Sequence, residues 1–360
     1  MQSSTPSPRS ASPTSQCPPP PSASGAPCAT TSERDAVRTR SSLGVNQEVR
    51  PFRFGVNVGR ARSLAEWREK ARKVEDLGYS VLTVPDHLTD VIAPIPALVS
   101  AAEATKHLRI GTNVLNNDLR HPVLVAREAA TVDLLTDGRF ELGLGAGSIR
   151  SEYDEAGLRF DRGATRVDRL AEALAVIKGL LKGEQTTFAG QHYRVSSHAI
   201  ATEPIQKPCL PILIGGNGPR LLGLAAREAD IVGFSGITFQ RGGAAPPDLS
   251  GWRVSGVDER VRLVRETAGE DRLARLEFNA LLQQVILTDH RQRAAEELSS
   301  RWTQLTADDI LHSPYVLIGT VEEMTEELLM RRQRWGISYY TVHEPYLDAF
   351  APTVASLTGK

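Results

Sequence analysis

From residue 51 onward, short apolar runs alternate with segments whose apolar residues recur every three or four positions. FRFGVNV (52–58) predicts a first strand. Ser63 and Glu66 then have the spacing of a helix-opening capping box, and Leu64, Trp67, Ala71 and Val74 mark one helix face. SVLTV (80–84) predicts a second strand, PALVSAAEAT (96–105) a helix and RIGTNVL (109–115) a third strand. Pro122 suits the first turn of the helix over HPVLVAREAATVDLLT, where its missing N–H leaves no bond unmade. RFELGLGAG (139–147) predicts a fourth strand, and Leu170, Leu174, Ile177 and Leu181 another helix stripe.

TTFAGQHYRV predicts a hairpin, after which the alternation resumes. PILIGG (211–216) and DIVGF (230–234) predict strands on either side of the helix PRLLGLAARE. SGITFQRGGAAPPD breaks the rhythm and reads as a surface loop within 235–256. EFNALLQQVIL (277–287) predicts one long seventh strand. Thr320 and Glu323 repeat the capping-box spacing ahead of a helix over 321–334, and ISYYTVH (337–343) predicts the eighth strand. Eight apolar strands alternating with helices call for a parallel sheet covered on its outside. The fold class is α/β, and closure into a (β/α)8 TIM barrel with insertions is the simplest arrangement over about 300 residues. An open doubly wound sheet would carry G-x-G-x-x-G after its first strand, where this chain reads NVGRARSL.

Composition narrows the partners. Residues 1–50 are rich in Ser, Pro, Thr and Ala and cannot bury enough apolar surface to fold. They read as a disordered extension, or as sequence ahead of the true start, preceding a single domain over 51–360. The net charge of −1 suggests neither nucleic acid nor an anionic membrane as partner, and no run of about 18 apolar residues exists to span a bilayer. Cys17 and Cys28 lie in the extension and Cys209 alone in the folded part, so a reducing, cytoplasmic setting fits.

In such a barrel the C-terminal strand ends line the active site. Those positions collect Asn57, Asp86, His87, residues 113–118, residues 145–152, residues 215–217, Ser235, His343 and Glu344. The first strand lacks the H-x-H pair of barrel metal hydrolases, so no metal is expected. His87 is either an acid, base or hydrogen-bond donor to a bound ring, or a loop histidine satisfied by nearby backbone. Gly215, Gly216, Asn217 and Gly218 before Pro219 offer backbone N–H groups and a helix N-terminus to an anion, or simply a tight turn. Gly143, Gly145 and Gly147 share one strand face, with a bulky neighbour or a planar ligand filling the space. Arg120 and His121 read as solvated, and Glu152, Tyr153 and Glu155 as a polar loop face.

Three segments then carry a resemblance: AEWREKARKVEDLGYSVLTVPDH, RIGTNVLNNDLRHPVLVAREAATVDLLTDGRFELGLGAG and PILIGGNGPRLLGLAAREADIV, with VLIGTVEEMTEELLMRRQRWGISYYTV later. In order and spacing they resemble the luciferase-like monooxygenase superfamily, most closely its coenzyme F-420-dependent oxidoreductases. The resemblance implies a (β/α)8 barrel, assembled as a homodimer, acting on a small-molecule substrate. It implies that Asp86 and His87 flank the ring of the cofactor, coenzyme F-420 (an 8-hydroxy-5-deazaflavin), with His87 catalytic. It implies a non-prolyl cis peptide at Asn113–Val114 beneath that ring and a phosphate at Gly215 and Gly216. Asn57, Gly147, Ser148 and Asn217 complete the expected cofactor contacts. Ser148 stands where the sugar-phosphate dehydrogenases of this group have a catalytic glutamate. The alternatives are an FMN-dependent monooxygenase fed by a partner flavin reductase, and a non-catalytic deazaflavin-binding protein.

Overall fold

The structure, a computed structural model, describes residues 50–238 and 247–360. All of the expected N-terminal extension but Arg50, and residues 239–246 of the expected surface loop, lie outside the described residues. The barrel strands are β1 (Arg53–Asn57), β2 (Val81–Val84), β3 (Arg109–Thr112, resuming as Leu115–Asn116), β4 (Phe140–Gly145), β5 (Ile212–Gly216), β6 (Ile231–Phe234), β7 (Glu277–Leu282) and β8 (Ile337–His343). Each pairs in parallel with the next, and β8 pairs with β1, so the sheet closes. The expected TIM barrel is the observed fold.

Helices wrap the outside: α1 (Leu64–Asp76), α2 (Pro94–Ala104), α3 (Pro122–Leu135), α4 (Arg150–Glu155), α5 (Gly163–Leu181), α6 (Pro219–Glu228), α7 (Val254–Ala268), α8 (Glu270–Leu273), α9 (Arg291–Arg301), α10 (Ala307–His312), α11 (Val321–Trp335) and α12 (Leu347–Leu357). Their starts follow local chemistry. Thr320 and Glu323 form the full reciprocal capping box of α11. At α1 only half of the expected box forms: Ser63 accepts the Glu66 N–H, while the Glu66 carboxylate reaches past it to the N–H of Arg62. The hairpin is present as Thr186–Ala189 against Arg194–His198.

The single strand expected over 277–287 is two. After Leu282 the chain leaves the barrel, and Gln284–Leu287 pairs with Val316–Gly319 in a separate two-stranded parallel sheet. A continuous apolar run cannot report that its second half has changed partner.

Strand alternation and register fix what fills the barrel, because register partners in parallel strands share a face. At the N-terminal end Arg53 pairs with Glu141 at 2.5 Å and Glu277 at 2.6 Å, while Arg109 reaches Glu141 at 2.7 Å. Burial alone would raise the Glu141 carboxyl, but Arg53 and Arg109 hold it below its usual range. Above them Val81, Leu213, Ile231 and Tyr339 form a small apolar cluster of their own, on which Val114 packs. Gly55 leaves the room Tyr339 needs: an added Cβ would stand 3.1 Å from its hydroxyl. The next layer is polar, with Thr83 donating to Asn57 at 3.2 Å and Asn279 donating to Thr341 at 3.0 Å. The interior is therefore packed and ends, toward the strand C-termini, in a floor.

Candidate active site

Strand β3 builds that floor. Its pairing with β4 runs from Gly111 opposite Glu141 to Leu115 opposite Leu144, four steps against three, so β3 bulges. The peptide between Asn113 and Val114 is cis. Thr112 repairs the interrupted ladder: its hydroxyl donates to the Gly143 carbonyl and accepts the Gly143 N–H, both at 2.8 Å. The bulge turns the Val114 side chain across the barrel. A Cβ on Gly145 would lie 2.6 Å from Val114 Cγ2, and one on Gly215 would lie 3.2 Å from Cγ1. A Cβ on Gly143 would lie 1.8 Å from the Thr112 carbonyl oxygen. The glycine face of β4 is thus filled by the protein's own β3, which decides between the two fillings left open by the sequence. Gly147 does not belong to that face. It turns with φ +77°, and a side chain there would strike the Tyr153 hydroxyl.

Around the floor stand the loops that follow β2, β4, β5 and β8. Asp86 is buried, accepts the Asn116 N–H at 3.0 Å and is gripped by both terminal nitrogens of Arg120, at 2.5 and 3.1 Å. Arg120 is therefore not simply solvated, and the Asp86 carboxylate is committed to holding the β2 and β3 loops together. His121 is also employed, its Nδ1 accepting the Val123 N–H at the start of α3. The neighbouring His87 has a side chain 40% exposed, and its Nδ1 lies 2.8 Å from Oε1 of Glu152. Glu152 and Tyr153 are buried rather than part of a polar loop face, whereas Glu155 is exposed. Tyr153 donates from its hydroxyl toward Asn116 and Asp118, tying α4 to the end of β3. Arg166 staples the same loop by donating to the carbonyls of Ala146 at 3.1 Å and Gly147 at 3.2 Å.

The remaining expected residues are distributed around the same end of the barrel. Asn57 ends β1 in register with His343 at the end of β8. Burial holds the His343 imidazole below its usual value. Ser148 is exposed just before α4. Gly215 and Gly216 are half-buried at the end of β5. Asn217 is buried and fixed, donating to Thr238 at 2.6 Å while its carbonyl accepts from Arg260 at 3.3 Å. Beyond it Gly218 faces open space, and α6 begins with no side-chain cap. Sequence reasoning read Arg120 as solvated and Glu152 as part of a polar loop face, and passed over Arg166. Each acts on a partner distant in the chain, and none carries a local signal. Among the described residues no group of three or more His, Cys, Asp or Glu could hold a metal ion, and no helix is long and apolar enough to cross a membrane.

Comparison with known proteins places this barrel. The family model for luciferase-like monooxygenases matches residues 49–339. The chain belongs to that family. An F-420-dependent glucose-6-phosphate dehydrogenase of Microbacterium testaceum is 35% identical over 189 residues, 50% of this chain, and the match spans only 55% of that relative's length. A 4-hydroxyprotoasukamycin monooxygenase of Streptomyces nodosus is 29% identical over 294 residues, 77% of this chain and 73% of that one. Among solved structures, an F-420-dependent secondary alcohol dehydrogenase in complex with an F-420-acetone adduct aligns over 85% of this chain and 99% of its own. Its TM-score is 0.65 at 19% identity. A coenzyme F-420-dependent tetrahydromethanopterin reductase from Methanopyrus kandleri aligns with TM-score 0.66 at 16% identity, over 86% and 98%. At such identities these two establish the fold alone.

Proposed function

We propose that this luciferase-like chain is an oxidoreductase that binds coenzyme F-420 at the C-terminal mouth of its barrel and moves a hydride between it and a small organic substrate. The observation that carries the reading is the floor itself: half-buried Val114 seated on Gly145 and Gly215, on the strand whose end is tied to Asp86, the neighbour of His87. A flat ring fits such a surface. The names of the Microbacterium relative and of the two solved structures support the choice of cofactor.

The residues present suit that molecule at both ends. Gly215, Gly216 and open Gly218 let backbone approach an anion, and the uncapped N-terminus of α6 adds favourable potential for a phosphate. Asn113, Val114, Asn57, Gly147 and Ser148 would border the ring, and Asp86 would hold the loop that presents His87. When bound, the deazaflavin supplies a two-electron hydride acceptor or donor. The protein's part is to align the reactants, keep water out, and handle the proton that accompanies the hydride. His87 takes that proton from a substrate hydroxyl, or returns it in the reverse direction, at the ring nitrogen not engaged by Glu152. A homodimer and a cytoplasmic setting are part of the same proposal.

The name of the Streptomyces relative, matched over more of both chains, supports a monooxygenase as the second reading, for which we propose FMN and a partner reductase. Titrating the purified apo-protein with each cofactor separates the two. Tight binding of F-420 is expected; tight FMN binding with no response to F-420 overturns the first reading. With F-420 loaded, His87→Ala is expected to slow single-turnover hydride transfer by about 10²–10⁴ and to leave cofactor affinity nearly intact. An unchanged rate removes His87 from the mechanism.

A further inference from the structure

Four of the buried carboxylates near the barrel stand in ion pairs with partners of two kinds. Asp86 faces Arg120, Glu141 faces Arg53 and Arg109, and Glu327 faces Arg291 and Arg331. Each of these partners carries a permanent charge. Glu152, its side chain 8% exposed, has a histidine as its ion-pair partner. Among the partners of the four it is the one with a ring nitrogen that can either donate or accept a hydrogen bond.

Geometry gives the pair a direction. An ionised carboxylate is acceptor-only, so at 2.8 Å the hydrogen between Glu152 Oε1 and His87 belongs on Nδ1. In the neutral ring this leaves Nε2 with its lone pair free. The His87 side chain is 40% exposed, whereas the carboxylate on which its Nδ1 is engaged is buried. Glu152 is itself held firmly. It sits on α4 beside Tyr153, which is bonded to Asn116 and Asp118, and Arg166 fixes the loop leading into the helix.

We propose that Glu152 is a positioning residue for His87: it fixes the Nδ1–H tautomer and the ring orientation, and so presents Nε2 as the proton acceptor at the mouth of the barrel. The proposal rests on the role given to His87 above and assigns the carboxylate partner that role requires.

The test uses the full chain labelled with 15N-histidine, its ring nitrogens observed at neutral pH with and without F-420. His87→Gln assigns the signal. Wild type is expected to show a protonated Nδ1 and an acceptor-type Nε2. Glu152→Leu, which removes the acceptor at similar volume, is expected to shift the ring to the Nε2–H form. The same tautomer in both proteins overturns the proposal. Glu152→Gln keeps the shape and carries the test if the leucine variant fails to fold. Its kcat is expected to fall about 10–100-fold, as for loss of other partners that orient a functional imidazole, with KM within about threefold. An unchanged kcat overturns the proposal. The two readings fail separately. A fast His87→Ala enzyme refutes the role of His87 while leaving the tautomer result standing. A slow His87→Ala enzyme beside Glu152 variants with wild-type tautomer and rate refutes the positioning role alone.

Discussion

Gly145→Ala puts the structure of the floor to a quantitative test. The added methyl carbon would stand 2.6 Å from Val114 Cγ2, while its next neighbours, the Gly215 carbonyl oxygen and Val114 Cβ, stand at 3.8 Å. Carbon atoms rest at about 3.5–4.0 Å, so one methyl group accounts for the whole conflict. Overpacking of this kind costs about 1–3 kcal/mol. Val114→Ala alone removes two methyl groups from a half-buried side chain, at roughly 1–1.5 kcal/mol. Were the sites independent, the double variant would lose the sum, about 2–4.5 kcal/mol. The geometry predicts otherwise, because in the double variant the methyl introduced at position 145 occupies the place Cγ2 has left. We expect it within about 1.5 kcal/mol of wild type, less destabilised than Gly145→Ala alone, a coupling of roughly 1–3 kcal/mol. Equilibrium urea unfolding of the four proteins measures this from the midpoints, provided the slopes agree. Losses that add to within about 0.5 kcal/mol would refute the claim that Val114 rests on the glycine face.

Arg120→Ala leaves the buried Asp86 carboxylate with the Asn116 N–H alone. Since the Arg120 side chain is 23% exposed, the expected loss is about 2–4 kcal/mol, just below that for a fully buried pair; a change under about 0.5 kcal/mol in urea unfolding refutes it. His343 sits below its usual value of 6.5 because of burial, so the unfolded chain binds this proton more readily than the folded one. Its contribution to stability is full above pH 6.5 and is lost as the pH falls below that value toward the folded one. His343→Gln should therefore show a shallower loss of melting temperature between pH 7 and about pH 5 than wild type; parallel curves would refute the assignment.

What could be read from the chain was whatever is encoded by neighbours in sequence. The apolar runs of β1, β2, β4, β5, β6 and β8, the Thr320–Glu323 cap and the hairpin are local signals, and each appears where expected. The half-formed cap of α1 and the His121 contact are local departures, but the larger ones involve residues far apart in the chain. Arg120 meets Asp86 across 34 positions and Glu152 meets His87 across 65, and no periodicity reports such meetings. Period-two spacing correctly placed Gly143 and Gly145 on one face, but what lies opposite them depends on how β3 bulges. The same limit hid the departure of 284–287 from the barrel, since a strand looks alike whichever sheet receives it.

The cluster of Arg53, Arg109, Glu141 and Glu277, with Tyr339 packed above it, stoppers one end of the cylinder. Traffic is left to the opposite rim. Whatever settles against Val114 must enter ahead of anything laid over it and can depart only after that second molecule has gone. Two-reactant kinetics on this scaffold would then follow a compulsory sequence, last in and first out.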